Sequence, residues 1–272
     1  MNRAPWDARI ARAQRLTSKY GFAAAILRFY EVVANAQADV YARVHAACGD
    51  ARIRRKTGTL REELDLTILL PELRAFLGAV EKSAPAPLAA AARRLASGSA
   101  DACAAQLTKW WRDPCAEATA AAPTEDRFCT RAFMEPYAEF LAQHTEPPMM
   151  EITPSVCPLC GAKPQFGVLR PEGDGARRSL VCCVCATEWN YGRILCPACG
   201  ESSENQLAVY IAEEIPNVRV EACDVCQKYM KTVDLTKDGH SVPVVDELAA
   251  IPLDLWARER GYEKIQGNLM GM

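Results

Sequence analysis

Apolar positions in residues 1–143 recur at steps of three and four, the period of a helix with one covered face. Pro5 precedes Trp6, Asp7 and an amphipathic run to about Leu16, which predicts a helix start. Phe22, Ile26, Phe29, Tyr30, Val33, Gln37, Val40, Tyr41 and Val44 share one helical face, which other helices must cover. Leu66 to Val80, Leu88 to Ala96, Ala100 to Trp111 and Thr124 to His144 predict further helices, and the alanines of PLAAAARRLA add propensity. Pro71 and Pro136 are expected near helix starts or at kinks.

The pattern then changes. HTEPPMMEITPSV, residues 144–156, holds three prolines and reads as a linker. Beyond it the period shortens to two. ATEWNYGRIL (186–195) alternates Thr187, Trp189, Tyr191, Arg193 and Leu195 against the opposite face, and NQLAVYIAEE, VRVEA and YMKTVDL are also strand-like. Gly173-Asp174-Gly175 reads as a hairpin tip, and His240, after Asp238-Gly239, as another turn residue. VVDELAAIPLDLWARERGY (244–262) reads as one closing helix. The expected class is α+β: an all-helical domain over 1–150, small ribbon modules over 151–192 and 193–243, and a C-terminal helix and tail over 244–272.

Composition sharpens this division. Residues 1–150 carry 20 Lys+Arg and 17 Asp+Glu, a balance of +3, whereas 151–272 carry 12 and 17, a balance of −5. An acidic ribbon half argues against a nucleic-acid-binding ribbon, which needs a basic face. No run of 18 apolar residues is present, so an integral membrane protein is not expected, and MNRAPWDARIARAQRL lacks the apolar core of a signal peptide. The expected location is the cytoplasm, where cysteines serve metals rather than disulfides.

Nine of the 13 cysteines fall in the second half. Eight form four knuckles: Cys157-x-x-Cys160, Cys182-x-x-Cys185, Cys196-x-x-Cys199 and Cys223-x-x-Cys226. Such spacing lets one tight turn present two thiolates to one metal. Counted from its second cysteine, CPLCG is followed after 21 residues by CCVC and CPACG after 23 by CDVC, which makes an internal repeat of about 40 residues. Each copy is expected to close its own four-cysteine site, with a crossed pairing as the alternative. Cys183 is left over, because Cys182 has the two-residue spacing to Cys185. Ribbons of this size need metal to fold. Cys48, Cys103, Cys115 and Cys129 are scattered and read as small apolar residues, Trp110 and Trp111 as packing residues, and His45 as a surface or satisfied histidine. Arg170, Arg177 and Arg178 read as exposed loop residues within reach of a partner.

CPLCGAKP (157–164), CCVCATEW (182–189), CPACG (196–200), RVEACDVCQKYMKTVD (219–234) and DELAAIPLDLWARERGY (246–262) resemble the FdhE family, the formate dehydrogenase accessory proteins. The similarity covers about 110 residues and includes the TEW after the second knuckle, the KT and D after the fourth, and the LD near the C-terminus; the helical half resembles the family only through LRFYEVVANAQ (27–37). The resemblance implies a cytoplasmic, non-catalytic assembly protein. Its partner would be the catalytic subunit of a respiratory formate dehydrogenase, met before export. It also implies rubredoxin-like iron sites at Cys157, Cys160, Cys182 and Cys185, and at Cys196, Cys199, Cys223 and Cys226.

The ligand set alone does not separate iron from zinc, since both take tetrahedral thiolates; the resemblance favours iron. Four thiolates leave no open position for water, so a metallohydrolase is not expected. An electron carrier is the alternative function. The client-binding surface is expected in the cleft between the halves, and the sequence leaves homo-oligomers open.

Overall fold

The computed structural model describes residues 3–49, 59–116, 124–146, 148 and 154–272. Six helices come first: α1 (Ala4–Lys19), α2 (Ala24–Cys48), α3 (Leu66–Ser83), α4 (Ala86–Ala96), α5 (Ala100–Arg112) and α6 (Thr124–Gln143). Pro5 opens α1, where its missing N–H costs nothing. Asp65 caps α3 by accepting from the Thr67 amide at 2.9 Å, and Ser99 caps α5 by accepting from the Ala102 amide at 3.2 Å. Tyr30, Val33, Gln37, Val40, Tyr41 and Val44 are buried along α2, as the period requires. Phe22 is not: it is 56 % exposed and stacks on Tyr20, because it lies in the turn before α2, where helical period no longer governs direction. Trp110 and Trp111 pack in the core, and Trp111 donates its indole N–H to the Arg61 carbonyl at 2.8 Å. His45 is half-buried among the rings of Tyr41, Phe140 and His144.

Pro71 sits in the second turn of α3, but Pro136 falls in the middle of α6. Proline cannot donate to the carbonyl four residues back, which frees the Ala132 carbonyl inside the core. Gln37 of α2 replaces the lost donor, giving its side-chain amide to that carbonyl at 2.8 Å. We therefore expect Gln37→Leu to leave a buried acceptor unsatisfied and to lower unfolding free energy by about 1–3 kcal/mol. Urea unfolding measures this, and a change within about 0.5 kcal/mol, typical of a surface substitution, would contradict the role.

Six of the 13 residues of the expected linker, 147 and 149–153, lie outside the described residues. After it come β1 (Pro164–Glu172), β2 (Gly175–Cys182), β3 (Glu188–Asn190), β4 (Leu207–Ile211), β5 (Val218–Cys223), β6 (Lys228–Asp234), α7 (Pro243–Ala249), α8 (Ile251–Glu259) and β7 (Glu263–Lys264). Gly173, at φ 54°, turns the β1–β2 hairpin. The strand expected over 186–195 shrinks to three residues, since Ala186 takes positive φ to leave the second knuckle and 191–195 turn away. The single closing helix divides into α7 and α8, because Pro252 begins a new helix and cannot extend the old one.

The ribbons do not stand apart. They join in one seven-stranded sheet of order β3-β2-β1-β6-β5-β4. The seam is the parallel pairing of β1 and β6, Gly167 against Thr232 and Val168 against Val233. At Gly167 a methyl group would lie 2.4 Å from the Thr232 hydroxyl oxygen, so glycine permits the close approach. β7 pairs with the other end of β6, at Lys228 and Tyr229. Arg178 of β2 spans the seam and pairs with Glu221 of β5 at 2.6 Å. One face of the sheet packs through Val218, Val220, Tyr229 and Val233 onto α1, α7 and α8.

The three arginines read as exposed loop residues all lie on β1 and β2. Arg170 makes a bidentate pair with Glu188 at 2.8 and 2.7 Å. Arg178 is buried, donating also to the Gly192 carbonyl. The side chains of Arg170 and Arg177, the latter 3.6 Å from Glu172, keep much of the exposure expected of them.

Candidate metal centres

The four knuckles gather in sequential pairs. The sulfurs of Cys157, Cys160, Cys182 and Cys185 lie within 4.8 Å of one another, and so do those of Cys196, Cys199, Cys223 and Cys226. The crossed grouping is not formed. A tetrahedron with metal–sulfur bonds of about 2.3 Å has sulfur–sulfur edges of about 3.8 Å. The observed separations are close to that: 3.6 Å for Cys157–Cys185, 3.3 Å for Cys160–Cys182, 3.8 Å for Cys196–Cys226 and 3.7 Å for Cys199–Cys223. Both donor sets therefore fit a thiophilic cation of tetrahedral preference.

Three of the four knuckles share one backbone hydrogen bond. The Gly161 amide donates to the Cys157 carbonyl, the Gly200 amide to the Cys196 carbonyl and the Gln227 amide to the Cys223 carbonyl, each at 2.9 Å. Four residues after each knuckle's first cysteine φ becomes positive: at Gly161, Ala186, Gly200 and Gln227. Glycine following CPLC and CPAC announces this turn in sequence; Ala186 and Gln227 do not, and there the turn is held against a steric cost of about 1–2 kcal/mol each. The Val184 amide points at the Cys182 sulfur and the Ala198 amide at the Cys196 sulfur, both at 3.4 Å. Such N–H donors stabilise thiolate charge.

Between the four thiols of the first cluster, hydrogen bonds from Cys160, Cys182 and Cys185 hold Cys157 well below the ordinary thiol value, while burial and the same contacts push Cys182 well above it. In the second cluster the Glu201 amide holds Cys199 down, and burial pushes Cys226 up to about 12. A bound cation would displace the shared protons and take all four sulfurs as thiolates.

The environments differ sharply. All four cysteines of the first cluster are buried within the core that also contains α2, α3, α5 and α6. The first knuckle is tied to the helical half by two bonds: the Leu60 amide to the Leu159 carbonyl at 3.0 Å, and the Arg61 guanidinium to the Cys160 carbonyl at 2.7 Å. In the second cluster Cys199 is exposed and Cys226 half-buried, with exposed Ile194 and Val225 close by in sequence. A cavity of about 440 Å³ beside it is lined by Cys196, Cys223, Val209, Arg178, Glu221 and Met230.

The KT and LD positions, whose purpose the sequence does not disclose, meet in a buried ionic cluster. Lys231 of β6 donates to Asp254 of α8 at 2.6 Å and lies 3.0 Å from Glu247 of α7. Lys264 of β7 contacts Glu247 at 2.6 Å and Asp254 at 2.9 Å. Tyr229 and Asn268 satisfy the remaining carboxylate oxygens. The cluster locks the closing helices and tail to β6, in the middle of the sheet.

Two family models match the cysteine-bearing half of the chain. Residues 156–193 match the FdhE central domain and 194–270 the FdhE C-terminal domain, one four-cysteine repeat beginning in each. A protein FdhE homolog of Aquifex aeolicus is 40% identical over 117 residues, 42% of this chain and 41% of that protein. One of Pseudomonas aeruginosa is 37% identical over 123 residues, 43% of this chain and 39% of that protein. The matched stretch thus spans about two fifths of these relatives' length. The crystal structure of the FdhE protein from Pseudomonas aeruginosa superposes with a TM-score of 0.71 at 23% identity, covering 99% of this chain and 96% of that one, so the fold is shared through the helical half as well. Over residues 156–270 the chain is thus similar to the central and C-terminal domains of the FdhE proteins.

Proposed function

We propose that this chain is an accessory protein in the formation of formate dehydrogenase, binding the enzyme's catalytic subunit in the cytoplasm before export. The observation that carries the reading is the match of both four-cysteine repeats, residues 156–270, to the FdhE domains. Cys157, Cys160, Cys182 and Cys185 would hold one metal ion and Cys196, Cys199, Cys223 and Cys226 a second. Iron is the favoured metal, on family resemblance, and zinc the alternative. Bound iron would supply one-electron chemistry, whereas zinc would supply shape alone. Four sulfur donors fill a tetrahedral site, which suits binding and assembly better than hydrolysis and supports a non-enzymatic role. No helix among the described residues is long and apolar enough to cross a membrane.

The chain would work as a helical unit over 1–150, ribbons over 151–192 and 193–243, and a closing segment over 244–272. The cleft between the helical half and the sheet is the proposed client surface. It contains a cavity of about 330 Å³ with an apolar floor of Phe166, Val168 and Val181 and a charged wall of Arg9, Glu135 and Glu139. Arg9 and Glu139 form a bidentate pair across it, at 2.9 Å for both bonds.

An anaerobic pull-down of the tagged chain from its native cytoplasm tests the reading. Recovery of a formate dehydrogenase catalytic subunit, lost in Cys196→Ser/Cys199→Ser, is the expected result; failure to recover that subunit with the metal-loaded wild type would reject it. Exposure of Cys199 favours an electron carrier as the second reading, since a surface site can exchange electrons. That reading requires reversible reduction of the purified, iron-loaded protein, followed by dithionite-driven transfer to a partner.

A further inference from the structure

The leftover thiol has a partner. Cys183 Sγ lies 3.6 Å from Cys115 Sγ, although 68 positions separate the two in sequence. Cys115 lies in the turn that follows α5 in the helical half; Cys183 lies inside the second knuckle, beside Cys182. Neither belongs to a four-sulfur cluster.

The surroundings hold one thiol still and leave the other reachable. Cys183 is buried, and its peptide is fixed from two sides. Its amide donates to the Lys163 carbonyl at 3.2 Å, and its carbonyl accepts from Arg131 of α6 at 3.2 Å. Arg131 is itself anchored, donating to Gln165 at 2.7 Å, to Glu135 at 2.8 Å and to the Gly267 carbonyl at 2.9 Å. Cys115 is half-buried on a short turn. A disulfide needs its sulfurs at about 2.05 Å, so rotation of the Cys115 side chain with a small shift of its turn would close the gap.

We propose that Cys115 and Cys183 form an oxidisable dithiol, a modification site separate from the metal ligands, whose disulfide staples the helical half to the second knuckle. The step is thiol–disulfide exchange with a low-molecular-weight disulfide of the oxidised-glutathione class. The Cys115 thiolate attacks one sulfur of the reagent, whose S–S bond breaks to release one thiol and leave a mixed disulfide on Cys115. The Cys183 thiolate then attacks the Cys115 sulfur, the mixed bond breaks and the second thiol departs. The protein pair loses two protons and two electrons, and the reagent is reduced to two thiols. Cys115 acts first because it is the more accessible, and Cys183 resolves because its backbone is held beside it. The metal-bound thiolates are spared because the cation and the packing around them cover their lone pairs. The proposal does not rest on the accessory reading.

The test uses the full chain, purified anaerobically with both metals bound and then exposed to oxidised glutathione. Free thiols are alkylated, metal is quantified, and non-reduced peptides are sequenced by fragmentation. The expected result is a Cys115–Cys183 linked peptide with two metals still bound per chain. Cys115→Ser and Cys183→Ser should each abolish the link while keeping both metals. A bridge that includes Cys157, Cys160, Cys182 or Cys185, loss of metal on forming the link, or recovery of Cys115 and Cys183 both alkylated would overturn the proposal.

Discussion

Cys157→Ser/Cys160→Ser is expected to unfold far more than a ribbon: metal content falls from two to one per chain and the helical half loses its cooperative melt. The first cluster lies in the same core as Tyr41, Leu77, Trp111 and Phe133, and its knuckle is bonded to the segment before α3. Structural zinc contributes roughly 10–16 kcal/mol to small metal-dependent folds. That exceeds the 5–15 kcal/mol total stability of most domains, or nearly so. Removing the first metal also leaves two former ligand thiols, Cys182 and Cys185, buried beside helical packing. Cys196→Ser/Cys199→Ser loses one metal as well, but its cluster lies at the surface with Cys199 exposed, so helical ellipticity should survive. Metal analysis with thermal melts followed at 222 nm, a helix-sensitive wavelength, separates the two cases. Equal loss of helix in both variants would show that the first site is not the keystone of the shared core. For the same reason a competing chelator should strip the second metal from the wild type first.

Lys231→Met is expected to cost about 3–5 kcal/mol, the range for removing one partner from a buried ionic cluster. Lys231, Glu247 and Asp254 have fully buried side chains, and Lys264 is nearly so. Without Lys231, two carboxylates share one ammonium group away from water. Burial pushes the Glu247 carboxyl up, but Lys231 and Lys264 more than reverse this and hold it at about 2, against 4.5 ordinarily. Its folded value is depressed, so its contribution is complete above about pH 4.5 and is lost as pH falls from there towards 2. At about 1.4 kcal/mol per pH unit, this carboxylate contributes roughly 3 kcal/mol near neutrality. Burial also pushes the Lys231 ammonium down, which limits the net worth of the cluster without making a lone pair of carboxylates tolerable. Urea unfolding at pH 7 measures the cost of Lys231→Met. Glu247→Gln should flatten the acid dependence between pH 4.5 and 3; an unchanged slope would assign that dependence to the metal thiolates instead.

Much of this structure is local and therefore readable. Helical period places Tyr30, Val33 and Val44 inside, and a two-residue spacing places two thiols on one turn whatever the rest of the chain does. Gly161 and Gly200 mark the exits of two knuckles. Other features depend on pairings between distant segments, for which local period has no term. The β1–β6 seam joins strands separated in the chain by four other strands and three of the four knuckles. Arg178 looks like a loop charge until Glu221 is brought across that seam. Lys231 and Asp254 stand inside recognisable motifs, yet nothing near either announces the other. Gln37 reads as one polar position on an apolar face; its task comes from Pro136, on a different helix. Cys183 is legible as a surplus cysteine, but its neighbour Cys115 is not.

The seam also sets a schedule for synthesis. β1 gains its parallel neighbour only when β6 is made, and Gly167 waits for Thr232, 65 positions later in the chain. At roughly 5–20 residues per second, that interval lasts about 3–13 s on the ribosome. During it the first hairpin can already collect its metal through Cys157, Cys160, Cys182 and Cys185, while one edge of β1 offers unpaired backbone groups to any extended chain nearby. Early metal capture would stiffen the hairpin in that interval, and arrival of β6 then closes the edge, so a cell starved of the metal should lose newly made chains to aggregation while chains already completed persist.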